Sequence, residues 1–308
     1  LPFGQPGMWY TEIPLSEFGQ DVIVDLIRRV SKCDFVPWEY EAMSSSLLDI
    51  TGGHPKGLID IVTKDLDKKR RWTFGKRPGM RRFYFTSETN ERLFTTYMTD
   101  VVNEITARIG EQRWKDFQTV CVLRRFNASV LQHMIDNGAI HQFTKGEELL
   151  VWLVRRNLVL EKQPGMWGDA IARGVVVAEM KMIARNRERY RELNQMAADG
   201  YSDSLDRVCK VYTETSLLEL EYSIITYGIE VIYHRLAAKY LITPGEPENP
   251  LEEASKEVRN KLMSLGENVV ERFIEEATKD KEICPSEEAE DIVRSSLGKH
   301  NGLKRRES

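Results

Sequence analysis

Cysteine and histidine are scarce in this chain of 308 residues: four cysteines, at 33, 121, 209 and 284, and five histidines lie scattered, with no CxxC pair. That dispersal argues against a metal site and against a disulfide scaffold, and a reducing cytoplasm is the expected compartment. No apolar run approaches the roughly 18 to 20 residues needed to cross a bilayer, so no membrane association is expected. A basic-then-apolar leader is also missing, and the chain opens on Leu1, the expectation for a processed product or a piece of a longer polypeptide. No GxxxxGK[ST] phosphate loop occurs, and Gly75-Lys76-Arg77 has neither the second-glycine spacing nor a strand-loop-helix setting. The scattered serines, cysteines and histidines form no recognisable nucleophile-base arrangement, so no catalytic residue is assigned and hydrolysis by this chain alone is not expected.

What is present describes a globular protein, with 41% hydrophobic and 30% charged residues. The length suggests two or three domains of roughly 100 residues each. A net charge of -4 hides an asymmetry: residues 64–82 carry nine Lys or Arg against two Asp, while 246–292 are dominated by Glu. Residues 9–15 have the pattern of one short strand, and Ser16 can cap a helix on which Val22, Ile23, Leu26, Ile27 and Val30 repeat. A helical pattern from Trp38 to Ile50 meets Gly52-Gly53, which suits a left-handed C-terminal cap, and Pro55 suits the first turn of a helix through Leu66. A long helix follows Ser87, carrying Leu93, Phe94, Tyr97, Met98, Val101, Val102, Ile105 and Ile109. Helices are then expected at 113–125, 128–136 and 144–156, with a short stretch Ala139-Ile140-His141-Gln142 between the last two. Leu158-Val159-Leu160-Glu161, a Gln163-Pro164-Gly165 turn and Trp167 on a returning strand complete three helices and a β-hairpin, the order of a winged helix. From Ala170 the chain reads as helical, in runs at 175–191, 217–241 and 251–277. Breaks are expected at Gly200-Tyr201-Ser202-Asp203, at 243–250 and at Cys284-Pro285, and the last ten residues read as a frayed tail.

Two readings stay open for each polar constellation. Gly53-His54-Pro55 either ends one helix and starts the next, or lays a small residue and a rigid ring edge against a flat base. Lys68, Lys69, Arg70, Arg71, Arg81 and Arg82, interleaved with Trp72 and Phe74, are either a solvated helix end and loop or a grip on a nucleic-acid backbone. The helix at 144–156 starts through Glu147 and Glu148 and carries its basic pair, Arg155-Arg156, only at its end, so packing is expected of it rather than groove reading. Glu230 and His234 are four apart and can share a helix face, either as a metal or acid-base pair, for which no third ligand stands at suitable spacing, or as a helix-surface ion pair or a satisfied core histidine.

The segment Leu47-Leu48-Asp49-Ile50-Thr51-Gly52-Gly53-His54-Pro55-Lys56-Gly57-Leu58 resembles the lid of AAA+-type and STAND (signal-transduction) ATPases. Val122-Leu123-Arg124-Arg125-Phe126-Asn127-Ala128-Ser129-Val130-Leu131 and Thr144-Lys145-Gly146-Glu147-Glu148-Leu149-Leu150 resemble the winged helix of the same proteins. The likeness covers roughly residues 1–190 and rests on the order of elements. It implies a mainly α chain: a remnant of an α/β core at 1–31, a helical lid at 32–86, a winged helix at 87–185 and a C-terminal helical array at 186–308. It also implies ATP or ADP as cofactor, with magnesium only through a phosphate loop upstream. Gly53, His54 and Pro55 would border the base. Where related proteins carry a histidine after the wing, this chain has Met166-Trp167-Gly168-Asp169-Ala170-Ile171-Ala172-Arg173, and Arg173 is either the cationic substitute or a salt-bridged surface residue. The implied partners are the upstream ATPase core and a protein docked on the helical array. A winged-helix nucleic-acid-binding or transcription-regulating module using the 64–82 basic segment, and a helical protein-interaction scaffold without ligand, are the alternatives.

Overall fold

Apolar side chains at helical spacing organise nearly every element of the chain. The computed structural model describes residues 19–30, 37–66, 87–163, 165–169, 172–215, 217, 219–239 and 249–298. Among these are thirteen α-helices and one two-stranded antiparallel sheet, so the protein is mainly α. It divides into two compact units, Leu1–Thr99 and Asp100–Ser308. The strand expected at 9–15, the cap at Ser16 and all but the start of the basic segment lie outside the described residues. No described helix is long and apolar enough to cross a membrane.

In the first unit, α1 (Gln20–Val30) buries Ile23 and Ile27 and packs on α2 (Pro37–Thr51), which buries Met43, Leu47 and Ile50. After the glycine pair, α3 (Pro55–Ile61) buries Leu58 and Ile61. The single helix expected through Leu66 instead widens into a π-helical turn at Val62–Leu66. That turn holds Asp65 inside, at 6% exposure. Tyr97 meets it from α4 (Ser87–Ile109): burial, and then the hydrogen bond to Asp65, push the Tyr97 phenol up to about 12. The boundary between the units falls within α4.

The second unit begins with α5 (Glu111–Val122), α6 (Ala128–Asp136) and α7 (Gly146–Arg155), followed by a hairpin of β1 (Val159–Gln163) and β2 (Met166–Asp169). The strands pair Val159 with Asp169, Leu160 with Gly168 and Glu161 with Trp167, and a bulge lies between Glu161 and Gln163. Helix α5 stops before the expected residue 125 because Leu123 turns extended and Phe126 joins the hairpin. Phe126 and Trp167 exchange both backbone hydrogen bonds, each at 2.7 Å. Ala139-Ile140-His141-Gln142 is irregular: the buried Asp116 carboxylate accepts from the backbone N–H groups of His141 (3.0 Å) and Gln142 (2.8 Å), taking the donors a strand would need. Asn127 caps α6, its Oδ1 accepting from Val130 N at 3.0 Å while its Nδ2 donates to the Tyr227 hydroxyl at 2.8 Å. Asn127→Ala removes both bonds and is expected to cost about 1 to 2 kcal/mol. Urea unfolding checks this, and a loss of a few tenths or less would count against it.

The helical array comprises α8 (Arg173–Met182), α9 (Ala184–Thr215), α10 (Glu219–Ala238), α11 (Pro250–Leu262), α12 (Glu267–Lys279) and α13 (Glu287–Gly298). The run expected at 175–191 is broken at Ile183, and the run at 251–277 is broken at 263–266. The break expected at Gly200-Tyr201-Ser202-Asp203 does not occur, and α9 continues through it. Tertiary contact overrides the local signal: a Cβ at Gly200 would stand 2.7 Å from His133 Cδ2, so glycine lets α6 approach, and Tyr201 is buried beside it. One hydrophobic core runs from Ile109 to Leu297, drawing Phe117, Phe126, Tyr190, Tyr201 and Phe273 from the three-helix segment and the array alike. Each such side chain contributes roughly 1.5–3 kcal/mol by leaving water.

Candidate functional site

At the joint between α2 and α3, Gly52 (φ 59°) and Gly53 (φ 78°) both take the left-handed conformation that side chains disfavour. Gly52 N donates to Leu48 O (2.8 Å) and His54 N to Thr51 O (3.1 Å), closing the end of α2. His54 is extended and caps α3, its Nδ1 accepting from Gly57 N at 3.4 Å, and Pro55 opens the first turn. His54 and Pro55 are half-buried and Gly53 is buried. The local code thus produces the expected joint, and it sets a short backbone arc beside a rigid ring.

A second, buried constellation lies wholly within the Asp100–Ser308 unit. Arg124, at 7% side-chain exposure, sits where the chain leaves α5 for the Phe126–Trp167 bridge. Its Nε and Nη2 donate to the Glu230 carboxylate (3.3 and 3.1 Å), and its Nη1 donates to Asp280 Oδ1 (3.1 Å). Arg124 Nη2 is also 3.0 Å from Asp280 Oδ2, and its guanidinium carbon stands 3.9 Å from the Tyr233 ring centroid. Arg125 reaches the same two carboxylates at 3.5 and 3.4 Å, and its backbone carbonyl accepts from the Tyr201 hydroxyl. Burial opposes the Arg124 charge, yet Glu230, Glu282 and Asp280 hold its pKa well above the ordinary value. Burial raises the Glu230 carboxyl, with Arg124 and Arg125 pulling the other way. Three segments distant in sequence are thereby tied together: the loop after α5, the middle of α10 and the turn after α12.

Arg173, the first residue of α8, belongs to the edge of this cluster. Its Nη2 donates to the Tyr233 hydroxyl at 2.7 Å and lies 3.7 Å from Glu282 Oε2. Burial works against its charge, while Tyr233 and Glu282 raise its pKa. Glu230 and His234 are both fully buried, with His234 Nε2 3.6 Å from Glu230 Oε2, so they do not form a helix-surface ion pair. The sequence pattern singled out those two but missed their partners Arg124 and Asp280. The available signal was an arginine pair ending the apolar run Val120-Cys121-Val122-Leu123.

Lys68, Lys69, Arg70, Arg71, Arg81 and Arg82 lie outside the described residues. On α7, Glu147 and Glu148 are exposed in the first turn, Val151 is 48% exposed, and Trp152 stacks with the guanidinium groups of Arg113 (5.1 Å) and Arg156 (5.2 Å). Among the described residues no group of three His, Cys, Asp or Glu side chains is placed to hold a metal ion. Cys121, Cys209 and Cys284 are buried, and burial pushes the thiols of Cys209 and Cys284 up to about 11, which makes them poor nucleophiles. No protein-family model, no curated protein and no solved structure matches the chain.

Proposed function

We propose that this chain is the non-catalytic switch portion of a STAND or AAA+-like nucleotide-dependent regulator, coupling ATP or ADP held by an upstream core to protein interactions. The observation that carries the reading is the joint: two successive left-handed glycines, an extended His54 cap and Pro55 in the first turn of α3. A flat base needs a close backbone and a rigid apolar edge, and this turn offers both. In this reading α5, α6, α7 and the β1–β2 hairpin form the winged helix, and the Arg124–Glu230–Asp280 tie passes its displacement to the helical array. A phosphate recruiting Arg173 would displace Glu282, which is 51% exposed and therefore inexpensive to release. On the array, a groove of about 620 Å³ lined by Asn268, Glu271, Arg272, Ile274, Glu275 and Arg294 offers mixed charge to a protein partner. The acidic first turn of α7 disfavours groove reading by that helix, since it repels phosphate, so a nucleic-acid role would rest on the 64–82 basic segment.

The test is titration of the full-length polypeptide with fluorescent ADP and ATP, in wild type and in Pro55→Asp. The expected result is nucleotide-dependent thermal stabilisation in wild type and affinity weaker by about tenfold or more in the variant, about 1.4 kcal/mol. Equal affinity in Pro55→Asp overturns the base contact. If neither nucleotide changes stability but DNA or RNA binds with a steep salt dependence, the winged-helix nucleic-acid module is the correct reading. If no ligand has any effect, the chain is a helical scaffold.

A further inference from the structure

His234 occupies the middle of α10 with its ring fully buried. Asn194 Nδ2 donates to Tyr190 O at 2.7 Å, which turns Asn194 Oδ1 toward the imidazole as an acceptor. His234 Nδ1, 2.7 Å from that oxygen, must therefore carry a hydrogen. The ring stacks on Tyr201 at 5.3 Å and 9° and meets Tyr233 edge-on at 5.0 Å. Nε2 is left over: it is inaccessible to water, has no hydrogen-bond partner, and stands 3.6 Å from Glu230 Oε2.

The surrounding charges are already matched. Arg124 and Arg125 from the loop after α5 and Arg173 from α8 face Glu230 on α10 and Asp280 and Glu282 after α12, three cations against three carboxylates. From α9 come Asn194 and the hydroxyls of Tyr190 and Tyr201; α10 adds Tyr227 and Tyr233. Glu257 of α11 and Asp199 of α9 are spent on the neighbouring Arg235. An imidazolium would be a fourth cation without a counter-ion of its own, and Glu230 could serve it only by loosening its hold on Arg124.

We propose that His234 makes closure of this cluster proton-linked: the closed cluster excludes a proton from Nε2, and separation of α10 from Arg124 and Arg125 takes one up, so that acid favours release. The inference goes beyond the nucleotide reading and stands without it. Its sign follows from the environment: burial first, then Arg124 and Arg173, hold His234 well below the ordinary imidazole value of 6.5. A depressed pKa contributes stability that is complete above about 6.5 and is lost as pH falls below it. Glu230, whose pKa burial raises, has the opposite sign: its contribution is present at low pH and lost as pH rises. A variant at 234 separates the two.

The experiment measures stability of the whole chain by urea unfolding at pH 7.5, 6.5, 5.5 and 5.0, in wild type and in His234→Gln. In wild type the opening equilibrium should increase below pH 6.5 by a factor approaching ten per pH unit beyond the change seen in His234→Gln. Parallel pH profiles in the two proteins overturn the proposal. Should His234→Gln fail to fold, the ring nitrogens of wild type are read directly by nitrogen NMR. A bare Nε2 persisting well below pH 6.5 is the expected result, and a ring already protonated at pH 7.5, or titrating with a midpoint near 6.5, overturns it.

Discussion

Arg124→Met should lower the stability of the Asp100–Ser308 unit by about 3 to 5 kcal/mol, the loss expected when one partner of a buried ion pair is removed. Methionine replaces most of the volume, so the loss is electrostatic in origin. Glu230, fully buried, and Asp280, at 9% exposure, would be left sharing Arg125, which reaches them only at 3.5 and 3.4 Å. Two like charges in a desolvated site cannot both be served by one half-exposed guanidinium. The Tyr233 ring also loses the cation that stands 3.9 Å from its centroid. Adding Glu230→Leu to Arg124→Met should recover part of the loss, because one of the two stranded carboxylates is then gone. Chemical denaturation of the two variants and wild type decides the matter. A cost below about 1 kcal/mol for Arg124→Met would mean that the cluster is hydrated and does not tie the three segments.

Gly146→Ala is the second substitution with a large expected effect, and its direction opposes helix propensity. Alanine inside a helix is ordinarily favoured over glycine by about 0.5 to 1 kcal/mol. Here an added Cβ would lie 2.1 Å from Ala128 O and 2.7 Å from Gln132 N, both backbone atoms of α6. Neither can swing aside as a side chain could, so α7 must move bodily, and the Gln132 Oε1 that accepts from Gly146 N at 2.9 Å loses its donor. The steric cost outweighs the propensity gain, and a net loss of about 3 kcal/mol is expected. Gly298→Ala, where nothing lies within 4 Å of the added methyl, serves as the control and should be neutral or slightly stabilising. Thermal unfolding of the pair tests the contrast, and equal midpoints would show that α6 and α7 can part at no cost.

The parts of the fold legible in the sequence are those fixed over one or two helical turns. The Gly52-Gly53-His54-Pro55 joint formed as its residues imply, because a left-handed cap and a proline in the first turn are backbone requirements that no distant contact needs to supply. The order of three helices and a hairpin was legible for a similar reason, with Asn127 capping α6 and Gly165 at φ 74° turning the hairpin. Where local signals misled, a distant side chain had the stronger claim. His133 receives Gly200 and keeps α9 intact, and Asp116 takes the backbone donors of His141 and Gln142.

For the buried cluster, periodicity placed Glu230 and His234 on one face of α10, since four residues make about one helical turn. It could say nothing of Arg124, 106 residues from Glu230 and 156 from Asp280. Helix ends, caps and apolar faces depend on dihedral preference and near-neighbour spacing, which the sequence by itself determined. Which charges meet in the interior, and whether His234 keeps or loses its proton there, was decided only by tertiary structure. Desolvation and counter-ion geometry depend on what the packed chain brings within a few ångströms, not on what stands nearby in sequence.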